Sequence, residues 1–299
     1  MKTIRIIQIL ALCLLVSCTH IDREKPVDKT KLLGIDYRLF QGTSAWELAK
    51  AVQDEDKKKI DQIVSQDPEL LNYQEPVYGN TLLMLTIKNR QMKPFKILLE
   101  HKADMSIHNT FNGSTALMDA CSYKEFDKFA EMLIEKGANV NDVQTDIENK
   151  GITRTPLMLA AGLGDNLGLV KLLVSRGANI NYRDKSGGSA LEECVVQKYY
   201  DIALFLLQNG ADYTQPIYPK DTINDKSVYE VNDKPIYLVD ELRADIFDLK
   251  SEKYKYKMQI VDFLKSKGID YRAAPIPEEI KTEIQYRYPH SWEEYLKKY

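Results

Sequence analysis

Four cysteines, four histidines and a scatter of carboxylates are the side chains of this 299-residue chain that could attack, ligate or shuttle a proton. Their spacing assembles almost none of that chemistry. His101, His108 and His290 belong to different elements and form no pair at metal-ligand spacing. No Gly-x-Ser-x-Gly, phosphate loop, His-Glu-x-x-His or Cys-x-x-Cys occurs. Asp221, Asp225, Glu230 and Asp233 share one segment without the spacing of a calcium loop. Gly162, Gly164 and Gly168 are mis-spaced for a dinucleotide turn, and no strand pattern precedes them. The expectation is a chain with no catalytic residue, no metal and no cofactor. Lys plus Arg number 41 against 44 Asp plus Glu, a net charge of −3, which excludes a basic nucleic-acid surface. Mean hydropathy of −0.38 excludes a polytopic membrane protein.

One thiol has a context of its own. Lys2 and Arg5 precede an apolar run, Ile6 to Val16, that is broken only by Gln8 and ends in Leu15-Val16-Ser17-Cys18. The run is short for a bilayer span and right for the apolar centre of a signal peptide. Its end resembles the lipobox of bacterial lipoproteins. That resemblance implies cleavage after residue 17 and acylation of Cys18, leaving residues 1–17 as signal peptide. The alternative is an ordinary secretory signal with a coincidental cysteine. Thr19 rather than Asp comes next, which by the same resemblance implies sorting to the outer membrane, facing the periplasm of a Gram-negative bacterium. Contact with the membrane is expected through the lipid anchor only. Residues 18–42 are polar and read as a tether, with Leu32, Leu33, Tyr37, Leu39 and Phe40 available to dock on the adjoining domain. Cys121 and Cys194 then remain as thiols, placed where small core residues belong.

A repeat positions the remaining residues. Thr81-Leu82-Leu83-Met84, Thr115-Ala116-Leu117-Met118, Thr155-Pro156-Leu157-Met158 and Ser189-Ala190-Leu191-Glu192 align at spacings of 34, 40 and 34 residues. Each leads to an apolar pair (Leu98-Leu99, Met132-Leu133, Leu172-Leu173, Leu206-Leu207). Each then closes with Lys102-Ala103-Asp104, Gly137-Ala138-Asn139, Gly177-Ala178-Asn179 or Gly210-Ala211-Asp212. Thr or Ser in front of an apolar run is an N-cap, Pro156 suits the first helical position, and glycine ends a helix in the left-handed conformation. Lys102 breaks that last pattern at a cost of about 1–2 kcal/mol. Ser44-Ala45-Trp46 with Ile60, Ile63 and Val64 reads as a degenerate first unit. Ile236–Leu249 with Met258–Lys265 reads as a stretched last unit, and Ser291-Trp292-Glu293-Glu294 as the capping box of a terminal helix.

This pattern resembles the ankyrin repeat. The resemblance implies an all-α solenoid of about six helix-turn-helix units over residues 43–271, with hairpin loops and an insertion at 213–234. Residues 272–299 are expected to form a short helical cap over its end. It also implies a cupped surface that binds a protein partner through fingers near Tyr73 to Tyr78, Ile107 to Phe111, Asp142 to Arg154 and Tyr182 to Lys185. The candidate contact residues are Tyr73, Tyr78, His108, Phe111, Tyr123, Asp142, Asp146, Glu148, Tyr182 and Arg183, each either an interface residue or merely solvated. Thirteen of the 18 tyrosines lie at or after Tyr199, as interface anchors or as packing for the irregular end. The functional expectation is a membrane-anchored binding module. Its more specific form resembles immunity lipoproteins that neutralise secreted toxin effectors, phospholipases among them; the alternative is an envelope scaffold for resident proteins.

Overall fold

Each aligned Thr or Ser caps a helix. The hydroxyls of Thr81, Thr115, Thr155 and Ser189 accept the amide of the residue three positions on, at 3.4, 3.4, 3.3 and 3.2 Å. In the computed structural model, which describes residues 23–217, 236–273 and 276–299, these helices are the first members of stacked pairs. The pairs are α1 Trp46–Gln53 with α2 Lys57–Gln66, α3 Leu82–Lys88 with α4 Met92–Glu100, and α5 Ala116–Cys121 with α6 Asp127–Glu135. They continue as α7 Pro156–Gly162 with α8 Leu167–Ser175, α9 Ala190–Val196 with α10 Tyr200–Gln208, and α11 Leu238–Ala244 with α12 Glu252–Ser266. A last pair, α13 Glu278–Arg287 with α14 Trp292–Lys298, closes the chain. The described residues are therefore all-helical, with no strand and an isolated bridge between Arg183 and Ser189. The expected signal peptide, Cys18 and residues 218–234 of the insertion lie outside the described residues.

First helices touch in a row, α1 to α3 to α5 to α7 to α9, and can do so because their contact faces are small. Ala120, Cys121, Ala160, Ala161 and Cys194 are fully buried between layers. Cys121 and Cys194 are unpaired, and burial pushes both thiols well above their ordinary range. In a chain that starts at Thr19, and so lacks Cys13 and Cys18, a thiol reagent should therefore label nothing until the protein unfolds and then label both. Labelling of the folded chain would contradict this packing.

Second helices end with left-handed residues, Gly137, Gly177, Gly210 and Gly268 at φ between 84° and 93°, and with Lys102 forced to φ 65°. Beyond them runs a ladder of side-chain amides absent from the sequence-based expectations. Asn141 Nδ2 donates to Gly177 O (2.9 Å) while its Oδ1 accepts from Asn179 N (2.7 Å). Asn181 repeats this with Gly210 O (3.0 Å) and Asp212 N (2.8 Å), and Asn72 Oδ1 accepts from Asp104 N (2.8 Å). Each amide thus satisfies groups of the neighbouring unit's turn and sets the stacking register.

Three expectations are corrected by packing. The tether is not free from residue 23 on: Tyr37, Leu39 and Phe40 are buried in the core, and Phe40 meets Tyr73 at 6.2 Å between rings. Arg23 grips Asp54 with two nitrogens (2.6 and 3.0 Å), so apolar burial and an ion pair overcome the chain entropy a coil would keep. Leu33, however, stays exposed. Leu172 and Met132 are only half-buried, while their neighbours Leu173 and Leu133 carry the core contact. Ser291 does not cap α14; its backbone (φ −145°, ψ 14°) leaves the hydroxyl without a cap hydrogen bond.

The C-terminal tyrosines are mostly packing. Tyr200, Tyr271, Tyr295 and Tyr299 are buried, and Tyr295 and Tyr299 form a small core under α13 and α14 with Ile284 and Ile246. Tyr271 meets Tyr299 from the neighbouring unit at 6.4 Å between rings. Three of these hydroxyls find backbone acceptors, Tyr271 on Leu242 O, Tyr295 on Phe247 O and Tyr299 on Arg243 O. Asp245 is buried, paired with Lys198 and accepting from the Tyr200 hydroxyl. Lys257 lies under the Tyr299 ring at 4.1 Å and donates to Asp245 O at 2.8 Å; burial lowers its ammonium to about 7.

Candidate protein-binding groove

The hairpin fingers close on themselves and then on one another. Backbone bonds Glu75 N to Asn80 O (3.0 Å), Asn109 N to Ser114 O (2.9 Å), Gln144 N to Arg154 O (3.0 Å) and Asp184 N to Gly188 O (3.1 Å) close each loop. Thr110 N to Tyr78 O (2.9 Å), Thr145 N to Gly113 O (3.0 Å) and Lys185 N to Gly151 O (3.2 Å) join each finger to the next. Such close approach requires glycine at the contact: a Cβ on Gly113 would stand 2.2 Å from Thr145 O. A polar residue holds each tip. The Glu75 carboxylate accepts from the amides of Val77, Tyr78 and Asn80 (2.8–3.0 Å), and Asp146 from those of Lys150 (3.0 Å) and Gly151 (2.7 Å).

Between these fingers and the first helices runs an open groove of about 870 Å³. Six large apolar side chains line it while remaining substantially exposed: Ile35, Phe111 (67%), Tyr123 (59%), Ile147, Ile152 and Leu163. They are six of the ten exposed large hydrophobic side chains among the described residues, so the concentration is directional rather than scattered. The groove's charges are paired internally. Lys88 Nζ meets Asp119 Oδ2 at 2.7 Å, and Arg154 is ion-paired with Glu193. Burial raises the Asp119 carboxyl and the Lys88 ammonium opposes that shift. The result is an apolar trough with compensated walls, suited to desolvation against an apolar ridge.

The sequence-derived candidates divide. Tyr78, Phe111, Tyr123, Asp146 and Glu148 line the groove. Tyr78 also donates to Leu32 O (2.7 Å) and meets Phe111 edge-on at 5.5 Å. Asp146 is used up inside its own finger, and Glu148 pairs with Lys150. Tyr73, His108, Asp142, Tyr182 and Arg183 are not in the groove lining. Tyr73 packs on Phe40, and His108 ties Gly113 O (2.7 Å) to Asp142 (3.3 Å). Tyr182 bonds Thr153 through its hydroxyl (3.0 Å), and Arg183 closes its own finger on Gly187 O. The acidic character expected of the long finger is therefore spent largely on structure. The residues missed were Ile35, Ile147, Ile152 and Leu163; an apolar residue amid polar finger residues was the available signal. Among the described residues no group of three His, Cys, Asp or Glu could hold a metal, and no helix is long and apolar enough to cross a membrane.

One palm position is anomalous. Met84, Met118 and Met158 are buried at the fourth place of their units, where the next unit carries Glu192. Burial and the nearby Glu193 push its carboxyl up to about 7, and its Oε2 has no hydrogen-bond partner. An acid whose folded pKa is raised contributes full stability below its unfolded value near 4.5 and loses it as pH rises through about 7. Glu192→Met should therefore stabilise the chain at pH 8 by about 1–2 kcal/mol, the full shift being discounted for partial exposure. It should give little at pH 4.5. Urea unfolding at both values checks this; equal gains at the two pH values would refute the assignment.

Stacked helix pairs with bonded fingers and a desolvatable trough define a repeat solenoid built for interaction. The family model described as "Ankyrin repeats (3 copies)" matches residues 48–144 and 142–217, more than half the chain. The chain belongs to the ankyrin repeat family. It is similar to an ankyrin repeat protein of Acanthamoeba polyphaga mimivirus, 24% identical over 221 residues, covering 72% of this chain and 27% of that one. It is also similar to an ankyrin repeat and KH domain-containing protein of Caenorhabditis elegans, 30% identical over 165 residues, covering 46% of this chain and 6% of that one. A third relative is a B-cell lymphoma 3 protein homolog of Mus musculus, 30% identical over 139 residues, covering 45% of this chain and 29% of that one. The matched part thus spans less than a third of the length of each of these relatives. Ankyrin repeats are typically interaction modules rather than enzymes, and protein partners are the expectation for that class.

Proposed function

We propose that this chain is a membrane-tethered module that binds a protein in the groove between fingers and first helices. The observation that carries this reading is the gathering of Phe111, Tyr123, Ile147, Ile152, Leu163 and Ile35 on one concave face whose charges are already paired. Exposed aromatic and aliphatic side chains in a concavity are what interface cores are made of. The tethering part rests on the signal-like run Ile6–Val16 and the Leu15-Val16-Ser17-Cys18 end. The finer reading is an outer-membrane lipoprotein facing the periplasm that occludes a secreted toxin, a phospholipase being the favoured class. It rests on the lipobox resemblance combined with a binding groove, because fold alone does not name a partner.

Two experiments test it. Cys18→Ala should block processing or release the chain from membranes, and unchanged detergent-dependent fractionation would refute lipidation. Co-expression should then rescue cells from a toxin encoded beside this chain, and the Phe111→Ser/Ile152→Ser variant should lose that rescue while remaining folded. Rescue independent of the groove, or no toxin gene and no rescue, would remove the immunity reading. An envelope scaffold, the alternative, predicts stable complexes with resident proteins and a phenotype without any competitor.

A further inference from the structure

The docked N-terminal segment changes what an anchor at Cys18 would do. We propose that the stretch from Arg23 to Ile35 is a membrane-resting surface that seats this end of the solenoid, and with it the groove rim, on an anionic phospholipid bilayer. The inference rests on the lipid-anchor reading above. Five residue steps separate Cys18 from Arg23, and whatever their path they reach at most about 18 Å. Arg23 is fixed: its guanidinium holds Asp54 (2.6 and 3.0 Å), and its carbonyl accepts from Gln41 Nε2 (2.9 Å). From there the chain is bonded down. Val27 N donates to Gln41 Oε1 (3.2 Å), Leu32 O accepts from the Tyr78 hydroxyl (2.7 Å), and Ile35 O accepts from Asn89 Nδ2 (2.8 Å). One surface hollow of about 570 Å³ is lined jointly by Arg23, Leu33 and Ile35, so the fixed end and the groove rim are neighbours. Ile35 and Gly34 also line the groove itself. The leash therefore ends at the mouth of the binding site.

The chemistry of this face suits a lipid surface. Leu33 is 71% exposed although the backbone around it is bonded down, and Ile35, two residues on, is exposed as well. Of the cations in the stretch, Arg23 is spent on Asp54 (2.6 and 3.0 Å) and Lys31 sits 3.3 Å from Asp28, so Lys25 and Lys29 carry the positive charge offered to lipid, in a chain whose net charge is −3. The exposed Leu33, with Lys31 lining the same hollow and Lys25 and Lys29 in the same stretch, enters the headgroup region while the ammonium groups stay among lipid phosphates, with an attraction that salt screens. Anchor and patch together make two signals, which is what durable orientation on a membrane takes.

The test uses the full lipidated chain in phosphatidylethanolamine/phosphatidylglycerol vesicles, with an environment-sensitive maleimide dye at Leu33→Cys or, at the opposite end, at Tyr286→Cys, where the native side chain is 82% exposed. Nitroxide-bearing lipids should quench the dye at position 33 several-fold and leave the dye at position 286 nearly unchanged. Reversing Lys25, Lys29 and Lys31 to Glu should reduce the quenching at position 33 while flotation persists. Flotation separates the two readings. If the wild-type chain does not float and behaves as Cys18→Ser does, the anchor reading fails and this one with it. If it floats but position 33 is quenched no more than position 286, the resting surface alone is overturned. A blue shift at position 33 that grows with protein concentration in detergent, before any vesicle is added, would assign the patch to a second copy of the chain and also overturn the proposal.

Discussion

Replacing Leu206 by Ala should cost about 2–5 kcal/mol of unfolding free energy, the lost transfer of the side chain plus the cavity left behind. Leu206 is fully buried in α10, a second helix flanked by α8 and α12, so its void has ordered layers on both sides and little room to collapse. Leu172→Ala, at the preceding unit's apolar pair, should cost clearly less, since that side chain is half-exposed and Leu173 beside it carries the contact. Urea unfolding monitored by helical circular dichroism measures both. Equal costs, or a Leu206→Ala cost within error, would contradict the stacking of second helices, in which stability is a sum of unit and neighbour terms.

Gly113→Ala is the second large effect. The position has φ +69°, and a Cβ there would lie 2.2 Å from Thr145 O and 2.6 Å from Thr145 N. The left-handed conformation costs about 1–2 kcal/mol for an L side chain, and separating the fingers forfeits the Thr145 N to Gly113 O bond, worth about 1 kcal/mol. A loss of about 2–3 kcal/mol is expected in total, and the long finger bearing Ile147 and Ile152 should detach from its neighbour. Gly137→Ala is the control. It has φ +90° with nothing within 4 Å of the added atom, so it should cost only about 1–2 kcal/mol. Hydrogen exchange at the Thr145 amide distinguishes the two variants, rising only in the first. Matching costs and unchanged exchange would mean that the fingers are not bonded in this way.

The repeat was legible because its signals are local. A capping Thr, an apolar pair and a closing glycine each act within one turn of their own helix, so Thr155, Leu173 and Gly177 could be placed from the chain alone. The groove was half legible. Aromatic residues in the fingers and palm, Phe111 and Tyr123, lie in it. His108 and Asp142 instead turn inward to pair across neighbouring fingers, a contact no spacing displays, and Arg183 closes its own loop. The asparagine ladder was hidden for the same reason as that pair: Asn141 and Asn181 look like loop polar residues until the next unit's turn is stacked on them. The N-terminal segment was legible in its apolar residues rather than its charged ones: Tyr37, Leu39 and Phe40, expected to be able to dock, are in the core, while Leu33 is not. The tyrosine-rich end was ambiguous between interface and packing, and packing claims Tyr271, Tyr295 and Tyr299, which meet one another where α13 and α14 join the last unit, and Tyr200, which packs on Phe247.

If the partner lies in the trough between fingers and first helices, removing the trough's apolar side chains must abolish its capture. The measurement is affinity capture from envelope extracts with the processed chain and with a Phe111→Ser/Ile147→Ser/Ile152→Ser variant, both first shown to have the same helicity and melting behaviour. All three side chains are exposed, so the fold should tolerate the change. A specific protein should be retained by the wild type and lost, at least tenfold by a rough hot-spot estimate, from the variant. The same protein held equally by both would place the interaction elsewhere on the solenoid and contradict a groove-bound partner.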